Sequence, residues 1–154
     1  MIKHESETEY ILLTESKLDI NFALENVILP WTGGTSIFVG STRDCFDQKK
    51  VLTLFYEAYE AMAVNEILNI CNDIRNRYSI GKMCILHRLG EVPITEASVI
   101  ISISSKHRKN AIEAVEYAIN ELKAKVPIWK KEIYANGESD WKENKEVFWR
   151  TTKP

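Results

Sequence analysis

The chain has 154 residues, 45% hydrophobic and 27% charged, with 20 Lys and Arg against 22 Asp and Glu and a pI near 6.0. That length suits one domain with its own core, while 6 Gly, 4 Pro and no biased tract exclude disordered, collagen-like and low-complexity classes. The near-neutral total disfavours a general nucleic-acid binder, no run approaches the roughly 18 apolar residues of a membrane span, and the acidic start MIKHESETEY has no signal-peptide core. The expected setting is the cytosol, with neither nucleic acid nor membrane as partner. Cys45, Cys71 and Cys84 are odd in number and lack C-x-x-C spacing, so neither a disulfide framework nor a metal site is expected.

In chain order, Tyr10 to Thr14 reads as a short strand, and Leu18, Phe22, Leu24 and Val27 predict a helix ending before Pro30. Thr35 to Val39 is a β-branched and aromatic run between Gly34 and Gly40, which predicts a buried strand. Ser41 to Lys50 is polar and aperiodic and reads as an exposed loop; Val51 to Tyr56 resumes a strand. Ala63, Ile67, Ile70, Cys71, Ile74 and Tyr78 recur at helical period up to Gly81. Met83 to Leu89 and Ala97 to Ile103 are strands, with Gly90 to Pro93 between them read as a turn. A second strong helix runs from about Lys106 to Val126, and Pro127 to Tyr134 is extended. The class is α+β, a single domain over residues 1–154, with residues 1–9 and 146–154 expected as flexible termini.

The balanced total conceals a segregation of charge. Residues 1–35 hold Lys3 and Lys17 against six acidic residues, whereas residues 106–131 hold seven basic residues against three acidic. Ser104 to Ala111, SSKHRKNA, places Lys106, His107, Arg108 and Lys109 in the first helical turn, where the macrodipole disfavours cations. An N-cap from Ser104 or Ser105, free amides and the Arg and His donors together form an anion site; the alternative is a solvated cluster. Leu122 to Tyr134, LKAKVPIWKKEIY, sets Lys123 in the last helical turn and Lys130 and Lys131 on a strand. There they point to opposite faces, so one at most aims into a given pocket. Lysines beside Ile128 and Trp129 suit proton transfer and stabilisation of negative charge, or snorkel over an aromatic surface. Arg43, with Ser41 and Thr42, is a third anion candidate, and His87 to Glu91 reads as a structural turn. His107 and Lys123 are 16 residues apart, about 24 Å along a continuous helix, so one small pocket cannot hold both from one chain.

Five blocks in register, GTSIFVGSTRD (Gly34 to Asp44), YEAYEAMA (Tyr56 to Ala63), HRLGE (His87 to Glu91), SSKHRKNA and LKAKVPIWKKE (Leu122 to Glu132), resemble the large, catalytic subunit of molybdopterin synthase. The resemblance implies a hammerhead-like α+β fold and sulfurtransferase activity. Two sulfurs pass to cyclic pyranopterin monophosphate from the C-terminal Gly-Gly thiocarboxylate of a small ubiquitin-like partner, forming the dithiolene of molybdopterin. It also implies a heterotetramer around a central dimer of large subunits, and no cofactor or metal. Lys123 and Lys130 would be the catalytic pair. Ser41, Thr42, Arg43, His107 and Arg108, with Lys131 and Glu132 flanking the lysines, would bind substrate, His107 and Arg108 coming from the other copy. Thr95 departs from the family, standing where many relatives have Gly, and Cys45 replaces a polar residue. The rival readings are a non-catalytic α+β module holding a phosphorylated ligand for regulation, and a Cys45 persulfide carrier.

Overall fold

The computed structural model describes residues 1–142 of the chain. The first of two sheets contains β1 (Ile2–Glu5), β2 (Glu9–Thr14), β3 (Gly34–Ser41), β6 (Met83–Arg88) and β8 (Ala97–Ser105), in the order β1-β2-β6-β8-β3. Only β2 and β6 are parallel. The second contains β4 (Cys45–Phe46), β5 (Lys49–Ala58), β9 (Ile128–Tyr134) and β10 (Ser139–Lys142), in the order β10-β9-β5-β4, with β7 (Gly90–Pro93) also paired to β5. The helices are α1 (Ile20–Val27), α2 (Glu60–Arg77) and α3 (Arg108–Lys125).

Period-two alternation in the first sheet divides the core. Ile11 and Leu13 of β2, Met83 and Ile85 of β6, and Val99, Ile101 and Ile103 of β8 pack with Ala63, Ile67, Ile74, Ala114, Ala118 and Leu122 of α2 and α3. The intervening residues Cys84, Leu86 and Ile100 face Leu18, Ala23 and Val27 around α1. Strands buried on both faces read as continuous apolar runs, and β6 and β8 do so.

The termini of the helices follow local chemistry. Asp19 caps α1, its carboxylate accepting from Asn21 N (2.9 Å) and Phe22 N (3.2 Å). Neither Ser104 nor Ser105 caps α3, contrary to expectation: both lie inside β8 and are buried. Ser104 Oγ donates to Val27 O (2.5 Å) and Ser105 Oγ to His107 O, so both hydroxyls hold backbone upstream of the helix. His107 occupies the N-cap without a side-chain hydrogen bond, leaving Arg108 and Lys109 in the first turn and Lys106 before it. Gly33 and Gly34 let β3 approach this helix start. A Cβ on Gly33 would meet Lys106 O at 2.7 Å, and one on Gly34 would meet Arg108 Cα at 3.1 Å.

Four strands lie where the sequence predicted none. Residues 2–5, expected as a flexible terminus, pair with β2 through a turn in which Ser6 Oγ accepts from Thr8 N and Glu9 N; residues 146–154 fall outside the described part. Gly90 to Pro93, read as a turn, is a strand antiparallel to β5. The predicted 41–50 loop is largely a hairpin, because Cys45 and Phe46 pair with Lys50 and Lys49 around Asp47 and Gln48. Both turn residues have positive φ, 47° and 64°, as a type I′ turn requires. β10 follows a turn containing Asn136 and Gly137, the latter at φ 83°.

Thr95, in the turn between β7 and β8, has φ 71°, a left-handed conformation that a β-branched side chain adopts under strain. Thr95→Gly and Gln48→Gly are each expected to stabilise the fold by about 1 kcal/mol, net of the entropy glycine adds to the unfolded chain. Chemical denaturation checks this; a loss of stability in both would contradict the strain argument.

Candidate functional site

β9 explains how a strongly charged segment builds a cavity wall. Its alternation puts Ile128, Lys130, Glu132 and Tyr134 on one face and Trp129, Lys131 and Ile133 on the other. Glu132 is 2% exposed. Its carboxylate accepts from the Tyr134 hydroxyl at 2.5 Å and lies 3.7 Å from Lys130 Nζ, and Lys130 also stands over the Phe46 ring. On β5, Tyr56 pairs with Lys130 and Leu54 with Glu132, so both join the same wall.

This wall closes one side of a cavity of about 580 Å³. β3 and β8 contribute Phe38, Gly40, Ser41, Ser98 and Val99; the end of α3 contributes Ile119, Leu122 and Lys123; Arg43, Cys45 and Phe46 line the mouth and His87 the interior. Three cations, Arg43, Lys123 and Lys130, thus converge from a loop, a helix terminus and a strand. Lys123 also sits in the last turn of α3, where the macrodipole favours a cation.

Of the residues singled out in the sequence, Ser41, Arg43, Lys123, Lys130 and Glu132 come together here. Four do not. Thr42 is buried, its N–H donating to Glu96 O (3.1 Å) and its hydroxyl to Val92 O (3.4 Å). A register shift between Gly40 and Ser41 turns Thr42 into the body of the protein while its neighbours stay at the cavity. Lys131 points away from the cavity and lies over the Trp141 ring at 5.6 Å. His107 and Arg108 are exposed at the opposite end of α3, which is continuous from 108 to 125. By the helical rise, His107 is about 24 Å from Lys123.

Two cavity residues were missed. Tyr56 was read only as part of a strand, and His87 as part of a structural turn. Their rings meet edge to face at 5.1 Å. Burial pushes the Tyr56 phenol up, a hydrogen bond with Ser98 pulls it partly back and the Glu132 carboxylate adds to the rise, so the hydroxyl keeps its proton at neutral pH. Burial pushes the His87 imidazole down to about 4, against a smaller upward effect of its hydrogen bond to the Arg88 carbonyl. The signal available in the sequence was parity: His87 is two residues beyond Ile85 and shares its face.

Burial pushes the Cys71 and Cys84 thiols up to about 12, which makes them inert packing groups, while Cys45 is exposed at the cavity mouth. Among the described residues no group of three or more His, Cys, Asp and Glu is arranged to hold a metal ion, and no helix is long and apolar enough to cross a membrane.

Fold and site together define a small α+β protein that gathers cations around one aromatic-walled cavity, suited to a compact anionic ligand. Comparison with known proteins supplies the family. The model of the MoaE protein family matches residues 13–125. The molybdopterin synthase catalytic subunit of Bos taurus is 52% identical over 148 residues, 96% of this chain and 78% of the relative, and that of Homo sapiens is 52% identical over 145 residues, 94% and 77%. The crystal structure of molybdopterin synthase from Staphylococcus aureus superposes with a TM-score of 0.82 at 34% identity, covering 90% of this chain and 98% of that one. A structure of the complex of subunits 1 and 2 of molybdopterin-converting factor from Helicobacter pylori shares the fold, with a TM-score of 0.73 at 24% identity over 89% of this chain and 92% of that one. The chain belongs to the MoaE family, whose curated relatives are catalytic subunits of molybdopterin synthase.

Two outcomes are expected. A neutral buried His87 costs stability when the unfolded chain can take up a proton that the fold refuses, so its contribution is complete above the unfolded pKa of about 6.5 and is lost as pH falls towards 4. Between pH 6.5 and 5 the native chain should lose about 1.5 kcal/mol more than His87→Gln in denaturant unfolding; parallel curves would contradict a buried neutral imidazole. Titration of the native protein with an aromatic disulfide reagent should modify Cys45 alone, the other two thiols reacting only after unfolding; rapid modification of Cys71 or Cys84 would show that the core opens.

Proposed function

We propose that this chain is the catalytic subunit of a two-component molybdopterin synthase. It moves sulfur from the C-terminal thiocarboxylate of a small ubiquitin-like subunit to cyclic pyranopterin monophosphate, twice per product, to form the dithiolene of molybdopterin. The observation that carries the reading is the convergence of Arg43, Lys123 and Lys130 on one cavity in a chain of almost balanced charge. Family membership supports it, as does the subunit complex of the Helicobacter pylori relative. Three free cysteines suit the reducing cytosol.

The chemistry asks two anions to meet. Each thiocarboxylate sulfur bonds to a substrate carbon as a carbon–oxygen bond there breaks. The oxygen leaves once as the phosphate ester, which opens the cyclic phosphodiester to a monophosphate, and once as water. Water then cleaves the sulfur–acyl bond, leaving the sulfur on the substrate and a carboxylate on the partner. Lys123 and Lys130 reduce the repulsion between the reactants and stabilise the charge that develops on oxygen, and Arg43 and Ser41 hold phosphate at the mouth. Glu132 keeps Lys130 on the cavity side of β9. The reaction so written needs no cofactor. His107 and Arg108, too distant to serve the cavity of their own chain, complete that of a second copy in a central dimer, where the exposed helix start adds its amides to the anion site.

Thiocarboxylated partner and cyclic pterin, mixed with this chain, should yield dithiolene. Lys123→Ala should lower single-turnover yield at least about 100-fold with partner binding intact; near-normal turnover would remove Lys123 from the chemistry. Arg108→Ala should lose activity alone but regain part of it when co-assembled with Lys123→Ala, because one site of the mixed dimer is then whole. Absence of complementation would contradict the shared site, and loss of ligand binding in Arg108→Ala beside a fully active Lys123→Ala would favour the regulatory phosphate-binding module.

A further inference from the structure

The cavity contains a polar group that the sulfur-transfer chemistry does not use. His87 is the last residue but one of β6 and is 4% exposed, and it lines the cavity beside Tyr56. Its Nδ1 lies 2.8 Å from the Arg88 carbonyl oxygen. A carbonyl only accepts, so Nδ1 carries the ring proton and Nε2, across the ring, is left with a lone pair. Among the described residues no donor reaches Nε2. The neighbouring Tyr56 meets the imidazole with its ring, edge to face at 5.1 Å. The ring borders the cavity, so a ligand or an ordered water there can supply the donor that the protein does not.

We propose that Nε2 of His87 is a binding acceptor for the substrate, taking a hydrogen bond from an N–H group on the pterin ring. The inference rests on the function proposed above and deepens it by dividing the cavity. A phosphate or thiocarboxylate oxygen has no proton to give, and an unprotonated Nε2 repels it, so the anionic parts of the ligands belong to Arg43, Lys123 and Lys130. The part that meets His87 is neutral and donates. Tyr56 beside it, with Phe38 and Phe46 elsewhere on the same cavity wall, supplies ring faces and edges suited to a flat heterocycle rather than to a flexible peptide tail. His87 then selects for the ring, and the cations for the charge.

The pair His87→Asn and His87→Gln separates the two nitrogens. Asparagine retains a donor near the position of Nδ1 and loses the acceptor; glutamine places an amide near the position of Nε2. Calorimetric titration of the full chain with cyclic pyranopterin monophosphate should show affinity about tenfold weaker in His87→Asn and within about threefold of wild type in His87→Gln. Competition by inorganic phosphate should be unchanged in both. Unchanged pterin affinity in His87→Asn, beside normal binding by wild type, overturns the acceptor and leaves the proposed function standing. A loss confined to binding of the thiocarboxylated partner overturns the assignment to the pterin. Failure of wild type itself to bind the pterin overturns both. Long-range proton–nitrogen NMR of the unmutated chain needs no variant to fold: it should report an Nδ1–H tautomer whose Nε2 resonance moves on adding the pterin, and an Nε2–H tautomer or an unmoved resonance overturns the proposal.

Discussion

A carboxylate cannot be left alone inside a protein, and the arrangement around Glu132 answers that constraint. Its two same-face neighbours on β9 are a hydroxyl donor, Tyr134, and a cation, Lys130. Strand alternation makes this possible only if Lys131 and Trp129 turn outward, which they do. The pairing of β9 with β5 is thereby fixed on its inner side, because a slip of one residue would bury Lys131 and expose Glu132. The cation that lines the cavity is thus tethered by a buried anion 3.7 Å away.

What could be read beforehand was whatever depended on periodicity. The doubly buried strands β6 and β8 and the long helices α2 and α3 have repeating apolar patterns, and the prediction that Lys130 and Lys131 diverge needed only the two-residue repeat of a strand. What escaped depended on particular turns and on distant partners. The β4–β5 hairpin has Gln48 where a type I′ turn favours Gly, so Asp47 alone did not mark the turn. β7 carries Gly90 and Pro93, ordinary marks of a turn, and becomes a strand because β5 is there to pair with it. Thr42 could not be distinguished from Ser41 and Arg43 without the irregularity at Gly40. In contrast, the Asn136–Gly137 pair before β10 was an available signal.

The segregation of charge along the chain also acquires a spatial meaning. The positive stretch from 106 to 131 is not one patch, since α3 carries its two ends to opposite sides of the molecule. One end adds a cation to the cavity, where a helix C-terminus welcomes it. The other presents His107 and Arg108 at a helix N-terminus, which disfavours cations unless an anion arrives to share the amides. Electrostatic cost at one end and gain at the other follow from the same rod.

Gly33 and Gly34 carry a mechanical consequence for the cavity at the far end of α3. They press the root of β3 against the root of α3, and from that joint the two elements run side by side to the cavity. β3 from Gly34 to Ser41 spans about 24 Å at the strand rise, and α3 from Arg108 to Lys123 about 22 Å at the helix rise. The two arms are nearly equal, joined at one end and tipped at the other by Ser41 with Arg43 and by Lys123. They resemble a pair of calipers: a methyl group at the joint would meet the backbone at the start of α3, so the closeness of the two arms at their root is set by two residues that have no side chains.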